Sequence, residues 1–183
     1  TFGASLIHLT LLTLAVVLDA AMVTKASAAP AGGPLDPRVV LEKSEAAIGT
    51  KLGDYTLRDA QGRPLALADY RGRPLVISLV YSSCSTTCPV TTQHLIDAVT
   101  QARQSLGAER FAVLTIGFDA RHDNPQRMAA FAGRQGIPAT GWDVASGDEA
   151  TLAALIRELG FSYQAVAGGF DHVAQTTIVD AEG

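Results

Sequence analysis

Basic residues are sparse and scattered. The 183-residue sequence carries 14 Lys and Arg against 18 Asp and Glu, a formal net charge of −4, and its cations nowhere gather into a stripe or cluster. That argues against a nucleic-acid partner, which needs a basic footprint to neutralise phosphates. No internal repeat appears, and no low-complexity tract lies beyond the N-terminal region. The chain also lacks an initiating Met and a basic stretch ahead of its first apolar run. It opens on Thr1 and closes on "VDAEG", a turn signal with no strand after it. Both ends are therefore expected to be cut from a longer gene product. Cysteine is nearly absent: Cys84 and Cys88 are the only two. They allow at most one disulfide.

What is present describes an ordinary globular chain. About 48% of the residues are apolar and 17% are charged, enough for one hydrophobic core and, at this length, one domain. Residues 6–23 form an apolar run, followed by "ASAAP", in which Ala26 and Ala28 stand in the A-x-A arrangement of a signal-peptidase site. Residues 1–28 read as a signal peptide, with the mature chain starting at Ala29. The rival reading is an uncleaved membrane anchor through residues 6–23, a length at the short limit for a span, with Asp19 costly in hydrocarbon. Both readings export the remainder, and export permits a disulfide.

Residues 29–49 open on the Pro/Gly-rich "APAGGPLDPR", a linker that passes into a short helical stretch ending near Ile48. "YTLRDAQGRPLAL" reads as a hairpin, residues 55–58 and 64–67, turning at Ala60-Gln61-Gly62. "PLVISLVY" and "FAVLTIGF" are continuous apolar, β-rich runs, the mark of central strands buried on both faces. Between them a helix is predicted from Pro89 to Leu106, with Pro89 at its first position and Gly107 at its stop. Asn124, Pro125 and Gly136 bracket a second helix, and "GDEATLAALIRELG" a third with acidic residues in its first turn. "FSYQAV" and "AQTTIVD" read as short strands. Residues 136–147, which include Trp142, leave one further strand undecided. Strand–helix–strand alternation predicts an α/β fold with parallel central strands.

The two cysteines sit where a buried strand hands over to a helix. Free N–H groups and a partial positive charge there favour thiolate over thiol, and the carboxyl ends of strands are where open α/β sheets place their sites. Positions i and i+4 of a helical turn hold their Cβ atoms about 5–6 Å apart, wider than the roughly 3.5–4.5 Å of a relaxed disulfide. A structural disulfide, a labile redox pair and a metal claw all remain open, with the spacing leaning toward the last two. A disulfide closing so small a ring would also stabilise the fold only weakly. A third ligand would select the metal. His8 lies in the export segment; His94, six residues past Cys88, points to another helix face; His122, in "FDARHDNP", reads as a solvated turn residue; His172, in "GGFDHVAQTT", is read as a loop residue before a strand. Thiolate with imidazole suits Cu(I), and also Zn(II).

From about Gly53 to the last residue the chain resembles the Sco/SenC family of thioredoxin-like copper proteins of bacterial and mitochondrial respiration. The resemblance is carried by "DYTLRDAQGRPLALADYRGRPLVIS", "YSSCSTTCPVTT", "GFDARHDNPQRM" and "FDHVAQTTIVDAEG". The family pattern, Cys-x-x-x-Cys-Pro at a strand exit and a distant Asp-His before a late strand, falls on Cys84, Cys88, Pro89, Asp171 and His172. Asp119 and Asp123 fall in the family's acidic loop. The resemblance implies a thioredoxin-like fold with an added N-terminal β-hairpin over residues 50–183, its C-terminal strand and helix missing from this chain. It implies a copper site of Cys84, Cys88 and His172, with Asp171 beside the ligands or contacting a partner. It further implies a periplasmic metallochaperone, soluble or anchored to the inner membrane. Its partners would be the copper-receiving subunit of cytochrome c oxidase and other copper chaperones. The second reading is a periplasmic thiol–disulfide oxidoreductase, with Cys84 attacking and Cys88 resolving. Thioredoxins place a cis-proline just before the late strand. No proline occurs between Gly160 and Gly183, and Gln175 stands about where it would be, which argues against general disulfide exchange and leaves room for His172. A third reading, peroxide reduction, lacks a Thr/Ser-x-x-Cys-Pro-x-x-Arg pattern around the cysteines.

Overall fold

A computed structural model describes residues 34–183, which form one compact unit. The expected export segment, residues 1–28, lies outside the described residues. Among these, no helix is long and apolar enough to cross a membrane.

The chain enters through helix α1 (Pro37–Ala46), started by Asp36, whose side chain accepts from the N–H of Arg38. Strands β1 (Thr56–Asp59) and β2 (Pro64–Ala66) form the expected hairpin. Its turn is held by Asp59, whose carboxylate accepts from the N–H groups of Gln61 and Arg63 and from the Arg63 guanidinium. A single 3₁₀ turn (Leu67–Tyr70) leads into β3 (Leu75–Val80). Helix α2 (Thr87–Leu106), β4 (Ala112–Gly117), α3 (Pro125–Gln135), β5 (Trp142–Ser146) and α4 (Glu149–Glu158) follow. A second hairpin, β6 (Tyr163–Val166) with β7 (Gly169–His172), precedes β8 (Thr176–Val179).

The six-stranded sheet runs in the order β2-β1-β5-β4-β3-β8. Its centre, β3-β4-β5, is parallel, and β1 and β8 close onto it antiparallel. Two right-handed crossovers stepping in one direction put α2 and α3 on the same face of the sheet. A hydrogen bond from Gln93 Nε2 to the Gln135 carbonyl, 2.7 Å, ties the two helices together. Every residue of β4 is buried, as its unbroken apolar run predicts. Val113 packs with Val99, Phe111 and Trp142, whereas Leu114 and Ile116 belong to the main core with Leu152 and Leu155 of α4.

Three expectations shift. Helix α2 begins two residues before Pro89, so Cys88 is itself helical; proline is tolerated because first-turn N–H groups have no helical acceptor anyway. The undecided segment does hold a strand, β5, flanked by Gly141 and Gly147. His172 does not lie in a loop. It ends strand β7, paired with Tyr163, and Ala167-Gly168 forms the turn of that hairpin.

Candidate metal centre

Strand β3 ends at Val80, and the chain turns at once: the N–H of Cys84 donates to the carbonyl of Tyr81 at 3.0 Å. That turn drops Cys84 at the N-terminal end of α2, where the N–H of Cys88 donates to Cys84 Sγ at 3.3 Å. The neighbouring strand exit is stitched in by the N–H of Phe118 on the Val80 carbonyl, 2.8 Å. The site therefore occupies the carboxyl end of the parallel strands. Both sulfurs are free thiols; Cys84 is 9% exposed and Cys88 1%.

The β6–β7 hairpin supplies the third group. His172 Nε2 stands 3.5 Å from Cys88 Sγ. Its other nitrogen, Nδ1, lies 3.0 Å from the carbonyl of Val173. A carbonyl only accepts, so Nδ1 carries the hydrogen and Nε2 presents a lone pair toward the sulfurs. The ring is held edge-on by Tyr81 and Phe118, centroids at 5.7 and 5.6 Å, and tilted against Phe161 at 6.1 Å. One donor atom from each of Cys84, Cys88 and His172 falls within 4.8 Å of the other two. These residues come together from α2's approach and a hairpin more than 80 residues downstream.

The two thiols differ electrostatically. Burial opposes ionisation of Cys84, but the N–H groups of Cys88 and Thr86 point at its sulfur and bring it from an ordinary 9.0 down to about 6. Burial pushes Cys88 up to about 12; Tyr81 opposes this through a main-chain contact, while Cys84 and the Asp123 carboxylate add to it. One sulfur is thus ready to act as a thiolate, and the other gives up its proton only to a strong partner such as a metal ion.

The remaining candidates fall outside the cluster. Asp171, adjacent in sequence to His172, accepts from the N–H of Leu35 at 3.1 Å and so fastens the segment entering α1. His94 is exposed on α2. His122 is 60% exposed and pairs with Asp119, Nδ1 to Oδ2 at 2.8 Å. Gln175, at the position where thioredoxins carry cis-proline, donates to the Leu159 carbonyl and to Thr177 Oγ1. The aromatic enclosure of His172 had no one-dimensional signal, since Tyr81, Phe118 and Phe161 come from three separate segments.

A family model described as SCO1/SenC matches residues 43–183. The chain is 26% identical over 95 residues to the SCO1 protein homolog of Bacillus subtilis, covering 51% of this chain and 47% of that protein. It is 35% identical over 89 residues to a Mycobacterium tuberculosis protein provisionally named a peroxiredoxin, covering 49% of this chain and 52% of that one. The chain thus spans about half the length of these curated relatives. Among solved structures, Arabidopsis thaliana ScoI with copper bound matches with a TM-score of 0.63 at 15% identity, over 71% of this chain and 81% of the other. At that identity the likeness speaks for the fold, which is the thioredoxin-like α/β arrangement the sequence implied.

Proposed function

The chain belongs to the SCO1/SenC family, and we propose that it is an exported copper-binding metallochaperone supporting assembly of the copper centre of cytochrome c oxidase. The observation that carries this reading is the convergence of two cysteine sulfurs and one imidazole nitrogen within 4.8 Å. Two soft sulfurs with one imidazole form a three-donor set suited to Cu(I). A structural Zn(II) site asks for four protein ligands, and among the described residues the cluster gathers three. The Val173 carbonyl orients the imidazole before any metal arrives. Copper is cargo here. Binding takes the proton from Cys88, and release to an acceptor returns that proton to Cys88 and leaves both cysteines reduced. In this reading residues 1–28 export the domain to the periplasm, cleaved or retained as an anchor.

The thiol–disulfide oxidoreductase reading keeps one observation in its favour, the contrast between an acidic Cys84 and a buried, weakly acidic Cys88. In that chemistry the Cys84 thiolate attacks one sulfur of a partner disulfide, breaking its S–S bond, and forms a mixed disulfide while the partner's other sulfur leaves as a thiolate. Cys88 then displaces the partner sulfur bound to Cys84, leaving a Cys84–Cys88 disulfide and a reduced partner. A Cu(I) titration against a chromophoric chelator tests the metallochaperone reading. The reduced chain should take up one equivalent, and the chain oxidised at Cys84 and Cys88 should take up none. Failure of the reduced chain to compete for copper would overturn the metallochaperone reading.

A further inference from the structure

The loop between β4 and α3 holds a carboxylate that the ligand chemistry above does not use. Asp123 is 4% exposed, and among the described residues it forms no ion pair. Burying a carboxylate without a countercharge is costly unless hydrogen bonds satisfy it. Both of its oxygens accept from main-chain groups: Oδ1 from the N–H of Ser82 at 2.9 Å, Oδ2 from the N–H of Asp119 at 3.0 Å. The space it fills is reserved by glycine. A Cβ on Gly117 would lie 2.6 Å from Asp123 Cβ and 2.9 Å from its Cγ.

Ser82 is gripped a second time. Arg134, on the last turn of α3, donates from Nη2 to the Ser82 carbonyl at 3.1 Å. Two side chains, one from the β4–α3 loop and one from α3, thus hold both the N–H and the C=O of one residue, two positions before Cys84. The stretch they hold, residues 81–86, has no helix or strand of its own, and Thr86 starts α2 without a side-chain capping bond. Cys84 itself is held by local contacts alone: its own N–H on the Tyr81 carbonyl, and the N–H groups of Cys88 and Thr86, the Tyr81 side chain and Thr86 Oγ1 at its sulfur.

We propose that Asp123 and Arg134 are positioning residues of the metal centre, clamping the main chain on both sides of Ser82 so that the Cys84 sulfur stands where it can meet Cys88 and His172. The proposal rests on the copper reading for its metal-binding consequence, but the clamp itself acts on the metal-free loop. Without it the loop must be ordered when the metal binds, and ordering lowers affinity. Residues that orient metal ligands from behind are typically worth about 10–100-fold in affinity.

The test uses the full chain carrying Arg134→Met, Arg134→Lys or Asp123→Asn. Arg134 is exposed, so Arg134→Met should leave the circular dichroism spectrum unchanged even if Asp123→Asn folds poorly. Two readouts are taken: Cu(I) affinity by chelator competition, and, in metal-free reduced protein, amide hydrogen exchange at residues 82–84. Arg134→Met should weaken Cu(I) binding about tenfold or more and speed exchange at residues 82–84. Arg134→Lys, which keeps one donor for the Ser82 carbonyl, should recover part of both. A folded Arg134→Met and Asp123→Asn that bind Cu(I) within about twofold of the parent and exchange residues 82–84 at its rate would overturn the clamp. If the parent chain binds no Cu(I), the copper reading falls; the clamp is then judged on exchange alone, faster exchange supporting it and unchanged exchange overturning it.

Discussion

Removing the imidazole of His172 separates a copper chaperone from a dithiol exchanger, because only the former needs that nitrogen. Alanine deletes one of the three donor atoms that cluster within 4.8 Å. Disturbing a group behind a ligand already costs about 10–100-fold in metal affinity, so losing the ligand itself should cost at least that, about 1.4–2.7 kcal/mol or more. Alanine also strips ring contacts to Tyr81 at 5.7 Å and Phe118 at 5.6 Å. At about 0.5–1.5 kcal/mol for each aromatic pair, the fold should lose roughly 1–3 kcal/mol besides. His172→Phe separates the two effects, since it retains a ring in the enclosure and supplies no lone pair. The assay is Cu(I) competition with a chromophoric chelator, run beside reduction of a model disulfide, on the parent and both variants. Both variants should lose copper affinity alike, His172→Phe should melt closer to the parent, and both should reduce the disulfide at nearly the parental rate. Unchanged copper affinity in both variants, with brisk disulfide turnover by the parent, would refute the reasoning and promote the oxidoreductase.

Further outcomes follow from the same geometry. Cys84, lowered from 9.0 to about 6, is thiolate above that pH and thiol below it. Iodoacetamide labelling of Cys84 in the metal-free reduced chain should therefore rise through pH about 6 and level off, and the stabilisation that accompanies the lowered value should be full above pH 9.0, fade as pH falls from there and be gone below about 6. A labelling midpoint near the ordinary thiol value would contradict the assigned hydrogen bonds. Gly160 has φ 63°, and a Cβ there would press into the Lys43 carbonyl of α1. Gly160→Ala should cost about 1–2 kcal/mol from the left-handed backbone alone and lower the melting temperature by several degrees; an unchanged melt would contradict the left-handed backbone at Gly160.

Much of the scaffold was legible because its signals are local. Asn124, Pro125 and Gly136 mark the ends of α3, and in the structure Asn124 Oδ1 does accept from the Arg127 N–H at 2.9 Å while Gly136 takes a left-handed φ of 68°. The unbroken apolar runs gave β3 and β4, because strands covered on both faces need no polar alternation. Strand β7 was not legible. Its four residues Gly169–His172 are all half-buried and offer no alternation, and Gly168-Gly169 reads as slack chain when it is in fact a turn and a strand start. The start of α2 was misjudged because Pro89 fits a first position as well as the third. At the site, spacing alone could pair Cys84 with Cys88. Bringing His172 to them needed the family resemblance, since the contact spans 84 residues of sequence. The roles of Asp123 and Arg134 are carried by bonds to the main chain of one residue, Ser82, which a side-chain pattern does not encode.

X-ray absorption at the copper edge on the reduced chain loaded with one equivalent of Cu(I) addresses the central claim most directly, because it counts the atoms around the metal. The geometry of Cys84, Cys88 and His172 predicts a three-coordinate ion with two sulfur scatterers and one imidazole nitrogen. A copper ion surrounded by nitrogen and oxygen alone, or by a single sulfur, would contradict it.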